Sequence, residues 1–497
     1  MKIFKKITND HFMQIFLIVV VLAILNMVAL FWTDNDMYFI IATGREIIEN
    51  GVPYVNPFFV MDDLKIIVQQ WLAALVTAGL YDHFGYKSLL LICAVFAALN
   101  GCLIYKIGKV INEGKNRMML AIIAGVLLFL MIPFNNIRPT IFTITLLLWQ
   151  IYCLEKYVRT VAVRWLWFLP LISLLEINLH GSMWIVHFVF LMPYVVPAIK
   201  NPLIEFRNQG SRFRFSVKVV LVFALMFAAG LVNPYGVDGI MYLFNSYGQN
   251  LTEITEIKPF AVNEYYGIFL FVSSIIFALK LSKKQGVTSS SFYMACGGLL
   301  MALPHARNII YFCIAIVPIT YELFGNSHIT LPQKAYCHTT RLLILPVCIL
   351  TISTFFHLGD CADLDIIDSS TTPVQAVQRL NEVVPALQRE NTKVFTEFNN
   401  GGYFEFYGYK TYLDPRPELF TKKINRRDEV FKEYSELAYT QDHFQGFLEK
   451  YRFDYLCTSK ETLLDYVLSE EEKYMCVVET ETYRLWKENE TMNQEVK

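Results

Sequence analysis

Two carboxylates near the amino terminus are the residues best suited to acid–base chemistry. Asp34 and Asp36 follow directly after a long apolar segment at 12–32. A carboxylate at such a boundary stays in contact with water and can take a proton from an attacking hydroxyl. Asp34 is therefore the predicted catalytic base, with Asp36 in support. The alternative is that one of the two caps the helix that begins here, since Asp is a favoured N-cap.

Four cationic or polar residues could bind an anion. Arg138 begins an apolar segment, and His305 and Arg307 share a turn beside a proline. Arginine binds phosphate through two hydrogen bonds, so these positions suit a phosphate or pyrophosphate. His180 ends a polar run at a membrane boundary, where polar groups are costly unless paired or facing water. Structural roles stay open for all four: a snorkelling arginine, an interfacial histidine or a capped turn.

A second set of polar residues could bind an acceptor or support the site. Most of them lie in or beside loops on the side of the membrane that carries the carboxylates. One pair follows a predicted strand end, a place where loops often carry function. The set comprises Asn178, Gln70, Tyr235, Glu256, Asp414 and Arg416.

The composition predicts a polytopic α-helical membrane protein. The 497 residues are 55% hydrophobic, and the mean hydropathy is +0.38. Apolar runs repeatedly reach the length that crosses a bilayer. About eleven transmembrane helices are predicted, at 12–32, 88–105, 118–133, 139–155, 162–177, 182–199, 216–232, 263–281, 288–303, 308–324 and 342–357.

The distribution of Lys and Arg predicts the orientation of the chain in the membrane. The apolar core of 70–83 is shorter than the roughly 17–25 residues of a spanning helix. If 70–83 rests on the outer surface and the amino terminus is cytoplasmic, Lys and Arg of the membrane part divide 20 inside to 6 outside; if it spans, they divide 7 to 19. The positive-inside rule selects the first arrangement. The protein is thus expected in the cytoplasmic membrane, with an extracytoplasmic carboxyl-terminal part.

The first outer loop, 33–87, is expected to carry two interfacial helices. Apolar residues recur at helical spacing between 36 and 49, and Asn50-Gly51 followed by Pro53 is a stop signal. This pattern is typical of an amphipathic helix lying flat on a bilayer. The second helix is 70–83.

Residues 358–497 form a predicted separate domain, following a membrane domain at 1–357. They carry 27 Asp and Glu against 17 Lys and Arg. Short alternating segments and helical patterns predict a small α/β domain. Predicted strands are 394–395, 403–406, 411–413 and 455–458, with a hairpin at 475–486; predicted helices are 373–389, 427–438 and 442–451.

Several short motifs together resemble the GT-C superfamily of membrane glycosyltransferases, in the bacterial branch related to protein mannosyltransferases and aminoarabinose transferases. The resemblance rests on Thr33-Asp-Asn-Asp36, Thr43-Gly44, Gly51-Val-Pro53, Gln70-Trp71, Arg138-Pro139, Asn178-Leu-His180-Gly181, Asn233-Pro-Tyr-Gly236, Arg307-Asn308, Gly401-Gly-Tyr403 and Asp414-Pro-Arg416. It implies that Asp34 or Asp36 acts as base or helps to bind a divalent cation, Mg²⁺ or Mn²⁺. Gln70 stands where similar proteins often have glutamate.

The expected activity follows from the resemblance and the residue types together. The protein would move a sugar from a polyprenyl-phosphate donor to an extracytoplasmic hydroxyl by direct, inverting displacement. Its partners would be the lipid-linked donor, a glycan, lipid or protein acceptor and the bilayer, but no nucleic acid. A transporter or flippase for a lipid-linked saccharide and a non-catalytic envelope assembly or sensor protein are the alternatives. Transporters usually show two related halves, and no internal repeat is visible here.

Overall fold

The computed structural model describes residues 35–200, 209–246, 265–282, 288–325, 372–439, 444–460 and 462–489. Asp34, Glu256 and the predicted spans 12–32 and 342–357 lie outside these residues. The described chain is mostly helical and contains a five-stranded sheet.

The helices and strands are numbered along the chain. The helices are α1 (Asp36–Asn50), α2 (Trp71–Phe84), α3 (Tyr86–Ile111), α4 (Arg117–Met131), α5 (Thr140–Thr160), α6 (Phe168–Leu179), α7 (Trp184–Lys200), α8 (Gln209–Gly230), α9 (Gly236–Ser246), α10 (Tyr265–Ser282), α11 (Ser289–Ala302), α12 (Ile309–Ala315), α13 (Val317–Phe324), α14 (Val374–Val383), α15 (Gly401–Phe406), α16 (Lys422–Asn425), α17 (Val430–Glu436), α18 (Phe444–Tyr451) and α19 (Leu463–Glu470). The strands are β1 (Lys393–Phe395), β2 (Lys410–Thr411), β3 (Tyr455–Ser459), β4 (Tyr474–Glu479) and β5 (Tyr483–Glu488).

The chain forms two compact units. Unit 1 comprises the described parts of Leu90–Asn233 and Asn250–Asp360, and unit 2 those of Thr33–Leu89, Pro234–Gln249 and Cys361–Lys497. Unit 2 therefore joins the predicted first outer loop to the carboxyl-terminal domain, a grouping that a single cut of the chain at residue 357 does not express.

Unit 1 is a bundle of apolar helices. α11 packs on α12 and α7, while α6 packs on α5 and α8. Gly298 of α11 lies so close to α12 that a Cβ there would be 2.5 Å from the Ala315 methyl group. Small residues allow such close approach between apolar helices.

Among the described residues, two helices are long and apolar enough to cross a membrane. They are α3 and α5; α12 and α13 form a bent pair, at 46°, that could count as a third span. Shorter apolar helices lie at Met119–Phe134, Gly181–Val195, Lys218–Gly230, Gly267–Leu279 and Ser290–Ala302. Helices thus occupy the predicted positions that are described, but the number of eleven spans stays a prediction.

α1 begins and ends close to the predicted bounds. Gly51 ends it with a φ of 84°, a conformation that favours glycine, and its N–H bonds to Ile47 O. Residues 37–44 are buried on all sides because α2 and α15 pack on the helix. The expectation of a single apolar face is therefore wrong for these turns, whereas the position of the helix on a bilayer surface stays a prediction. Only the carboxyl-terminal end of α1 is exposed, where Ile48 has 56% of its surface accessible.

The sheet of unit 2 has the order β2-β1-β3-β5-β4. β1 runs parallel to β2 and β3, while β5 runs antiparallel to β3 and β4. The predicted strand at 403–406 is wrong, since α15 occupies it, and α19 lies in a region without a predicted element. The first outer loop extends the sheet, because Thr411 N donates to Phe58 O at 2.8 Å and Val60 N donates to Thr411 O at 2.9 Å.

Candidate functional site

Three predicted anion ligands come together in unit 1. Arg138 precedes α5, Arg307 lies in the short 3-10 helix Ala306–Asn308 before α12, and His180 follows α6. Burial lowers the pKa of His180 to about 4; Glu176 opposes that change, and the charges of Arg307 and Arg138 add to it. Both guanidinium groups therefore lie near enough to act on the imidazole. The result is a cationic cluster at helix ends, made of the two arginines and a neutral histidine near them.

His180 is held by a hydroxyl that also binds a carboxylate. Thr143 Oγ1, in the first turn of α5, lies 2.7 Å from His180 Nδ1 and 2.6 Å from Glu176 Oε1. Thr143 and Glu176 are fully buried. Buried polar groups are stable only when they are hydrogen-bonded, so this arrangement fixes the orientation of the imidazole ring.

The chain of polar contacts continues deeper into unit 1. Glu176 Oε2 lies 3.3 Å from His187 Nε2 of α7, and both side chains are fully buried. His187 Nδ1 in turn lies 2.7 Å from Gln150 Oε1 of α5. Thr143, Gln150, Glu176 and His187 are not among the site residues that the sequence predicts. An ionisable residue within an apolar segment is the sequence signal that could have found Glu176 and His187.

Two other predicted residues of unit 1 make hydrogen bonds that give them a structural role. Asn178 Nδ2 donates to Leu174 O at 2.8 Å and to Val232 O at 2.9 Å, which ties α6 to the chain after α8. His305 precedes the 3-10 helix of Arg307, and its carbonyl accepts from Asn308 N at 3.0 Å. Their roles toward a substrate stay predictions.

In unit 2, Asp36 is the first residue of α1. The N-cap is Asn35, which makes no side-chain capping bond; its Oδ1 accepts from Thr372 Oγ1 at 3.1 Å. Asp36 is thus not the cap, although a carboxylate in the first turn favours the positive end of the helix dipole. Gln70 holds the corresponding position before α2, where its carbonyl accepts from Ala74 N at 2.8 Å.

Tyr235 ties the first outer loop together. Its hydroxyl donates to Pro53 O at 2.8 Å and accepts from Val68 N at 3.0 Å. Burial raises the pKa of Tyr235 to about 12, so the phenol keeps its proton at neutral pH. Residues 53 and 68 are therefore clamped by one side chain.

Asp414 and Arg416 form a buried ion pair in the same unit. Arg416 Nε donates to Asp414 Oδ2 at 2.7 Å, and the guanidinium lies 4.9 Å from the ring centre of Phe39 in α1. Glu405 lies 3.9 Å away, and burial followed by the charge of Asp414 raises its pKa well above the usual range. The pair joins the carboxyl-terminal domain to α1, and its expected role toward an acceptor stays a prediction.

The fit to a divalent cation can be tested on the described residues. Within them, no group of three or more His, Cys, Asp or Glu side chains converges as a metal site would require. Asp36 alone does not make such a site, so no step of the proposed reaction is assigned to a metal. The predicted residues divide between the units: Arg138, Asn178, His180, His305 and Arg307 in unit 1, and Asp36, Gln70, Tyr235, Asp414 and Arg416 in unit 2.

Comparison with known proteins gives a limited result. No known protein family and no curated protein matches the sequence. Among solved structures, the chain is similar to the Archaeoglobus fulgidus oligosaccharyltransferase, crystallised in complex with Zn and sulfate. The two are 12% identical, the TM-score is 0.48, and the match covers 89% of this chain and 68% of that one. A likeness of this size assigns no activity to this chain.

Proposed function

We propose that the protein is an inverting membrane glycosyltransferase of the GT-C type, which moves a sugar from a polyprenyl phosphate to an extracytoplasmic hydroxyl. The observation that carries the proposal is that Arg138 and Arg307, which precede α5 and α12, both lie near His180 at the end of α6. Two guanidinium groups at the ends of apolar helices suit a phosphate attached to a lipid chain, because arginine binds phosphate bidentately. The motif resemblance to GT-C enzymes supports the same reading.

The reaction is a single displacement. The acceptor oxygen attacks the anomeric carbon and forms the new glycosidic bond, while the bond from that carbon to the phosphate oxygen breaks. The electron pair leaves with polyprenyl phosphate, whose charge the two arginines neutralise. The hydroxyl proton passes to the Asp34 carboxylate, and Asp36 supports it through hydrogen bonding.

A lipid-saccharide transporter is the second candidate, and one observation favours it. Glu176 and His187 are ionisable groups buried between apolar helices, and such residues often mark transport or proton pathways. A transporter would move the lipid-linked saccharide across the bilayer without breaking the sugar–phosphate bond. The bond-breaking step therefore distinguishes the two functions.

The test uses purified full-length protein in liposomes with a radiolabelled polyprenyl-phosphate sugar. We expect release of polyprenyl phosphate and transfer of label to an acceptor from a membrane extract. Asp34→Asn should lower turnover by about 10²- to 10⁴-fold, the usual contribution of a positioned base. Movement of intact donor across the bilayer without its consumption would overturn the proposal in favour of the transporter.

The cationic cluster provides a second arm with a matched control. Arg138→Ala or Arg307→Ala should weaken polyprenyl phosphate binding roughly 10- to 150-fold, because a hydrogen bond to a charged group contributes about 1.5–3 kcal/mol. Arg164→Ala removes an exposed arginine of unit 1 that lies over Trp165, 5.3 Å from its ring centre, and should leave binding unchanged. Equal loss in all three variants would point to net charge and against a phosphate site.

A further inference from the structure

The buried chain that ends at His180 determines which ring nitrogen of that residue carries a proton. Its fixed point is Gln150, whose Nε2 lies 2.7 Å from the carbonyl oxygen of His187 and must donate to it. Gln150 Oε1 therefore faces His187 Nδ1, also at 2.7 Å. An amide oxygen can only accept, so His187 Nδ1 carries a hydrogen.

The next link is the contact between His187 and Glu176. His187 Nε2 and Glu176 Oε2 lie 3.3 Å apart, close enough for an ion pair but without hydrogen-bond geometry, and neither atom has a hydrogen-bond partner within the described ranges. If neither atom carried a proton, two lone pairs would face each other in a fully buried place. If both atoms carried a proton, the positive charge of His187 would be buried without a negative partner. Both cases are costly. One proton therefore lies on one of the two atoms, which gives either a neutral pair or an ion pair.

Thr143 transmits this arrangement to His180. Since the proton of this pair lies on the Oε2 side, Glu176 Oε1 is an acceptor, and the Thr143 hydroxyl donates to it at 2.6 Å. That hydroxyl has one hydrogen, so the 2.7 Å contact with His180 requires His180 Nδ1 to be the donor. A neutral His180 then has a bare lone pair at Nε2.

The charged groups near His180 favour the neutral ring. Burial and the two arginines lower its pKa, while Glu176 raises it, and the net direction is downward. None of the described residues makes a hydrogen bond to His180 Nε2. The lone pair can thus accept a hydrogen bond from a donor that the described residues do not supply, and it would repel a phosphate oxygen.

We propose that His180 Nε2 accepts a hydrogen bond from a hydroxyl group of the donor sugar, and that Thr143 and Glu176 are positioning residues for that contact. This inference rests on the proposed function and changes the predicted part of His180, from anion ligand to sugar ligand. The arginines hold the phosphate, and the sugar bonded to that phosphate brings its hydroxyls to the same cluster. A neutral imidazole then distinguishes the sugar-bearing lipid from the bare lipid phosphate.

The protonation pattern can be measured without substrate. We would record ¹⁵N spectra of histidine-labelled full-length protein and assign His180 by its loss in His180→Gln. The expected spectrum shows a protonated Nδ1 and an unprotonated Nε2 at pH 7. A protonated Nε2 would overturn the inference.

Three threonine variants separate positioning from general packing. Thr143→Val keeps the volume but removes the hydroxyl, so His180 should become a mixture of tautomers, whereas Thr143→Ser should restore the wild-type pattern. Thr145→Val, on the same helix, loses only a bond to Asn100 Oδ1 at 2.6 Å and one to Ile141 O, and should leave the His180 signals in place. Unchanged signals in Thr143→Val would contradict the hydrogen-bond chain.

Binding of two lipids tests the sugar contact. Thr143→Val should weaken binding of a polyprenyl-phosphate hexose roughly two- to tenfold, the range of one net hydrogen bond, and should leave binding of polyprenyl phosphate unchanged. An equal loss for both lipids would return His180 to the phosphate and overturn the inference. If the wild type binds neither lipid, the proposed function fails, whereas the spectra still decide the tautomer.

Discussion

The contact between α1 and α2 makes a quantitative prediction for Gly44. A Cβ placed on Gly44 would lie 2.6 Å from the Ala78 methyl group and closer still to the Ala74 carbonyl oxygen. A carbonyl within a helix cannot rotate away, so the two helices must separate. Overpacking of this kind costs about 1–3 kcal/mol, and the better helix propensity of alanine returns about 1 kcal/mol. From the upper end of that range, Gly44→Ala should destabilise unit 2 by about 2 kcal/mol.

Gly79 is the matched control, because it lies on α2 with nothing within 4 Å of a Cβ at that position. Gly79→Ala should stabilise by about 0.5–1 kcal/mol through the smaller conformational entropy of the unfolded chain. The assay is thermal unfolding of the purified protein in detergent, followed by tryptophan fluorescence. For a unit of this size, a loss of about 2 kcal/mol corresponds to a Tm lower by roughly 4–8 °C. A Gly44→Ala protein that melts at or above the temperature of Gly79→Ala would refute the reasoning.

Three further predictions concern orientation and the buried charges of unit 2. An epitope tag at residue 497 should be labelled from outside intact cells and one within 106–117 should not; the reverse pattern would invert the predicted topology. Asp414→Ala should destabilise unit 2 by about 3–5 kcal/mol, because it leaves Arg416, which is 6% exposed, without its main partner. The control is Glu436→Ala, at an exposed pair with Lys432, which should cost no more than about 1 kcal/mol in the same denaturation assay. The folded-state pKa of Glu405 is raised, so its contribution to stability is present below the unfolded pKa of about 4.3 and is lost as pH rises through the folded value. The Tm should therefore decline between pH 4 and 9, and Glu405→Gln should remove that decline. An unchanged slope of Tm against pH in Glu405→Gln would argue against the raised pKa.

Local signals in the sequence were sufficient for several elements of the fold. The stop at Asn50-Gly51 located the end of α1, and the alternation near 455–458 and 475–486 identified β3 and the hairpin of β4 and β5. These elements depend on turn chemistry and side-chain period, which neighbouring residues determine.

The strand-like alternation of side chains at 403–406 leads to a wrong prediction. Tyr403, Phe404 and Phe406 flank Glu405 in a strand-like pattern, yet the segment is helical and residues 401–405 are all buried. A short run that is buried on every side has no exposed face to reveal its period, so helix and strand cannot be distinguished from the pattern. Tertiary contacts determine the secondary structure of such a segment, and in this protein those contacts are with α1.

The cluster around His180 was predictable in part. The residue types predict Arg138, His180 and Arg307 as one set of anion ligands, and how near they lie to one another follows from which helices pack together. Thr143 and Gln150 carry no signal of their own, because a threonine or a glutamine in an apolar helix has many ordinary explanations. Their part depends on the depth and rotation of α5 against α6 and α7, which no sequence period specifies.

The discontinuous make-up of unit 2 has a consequence for how the chain can fold. α1 and α2 emerge early in synthesis, but α15 and the strand edge that pairs with residues 58–60 are separated from them by more than 300 residues. Contacts of such long range form late, and a segment awaiting them exposes its apolar residues meanwhile. Tyr38, against Tyr403 and Phe406, and Phe39, against Gly402, must wait for a partner made near the end of translation. A chain truncated after 357 should therefore be sensitive to proteolysis within its first loop, although every residue of that loop is present.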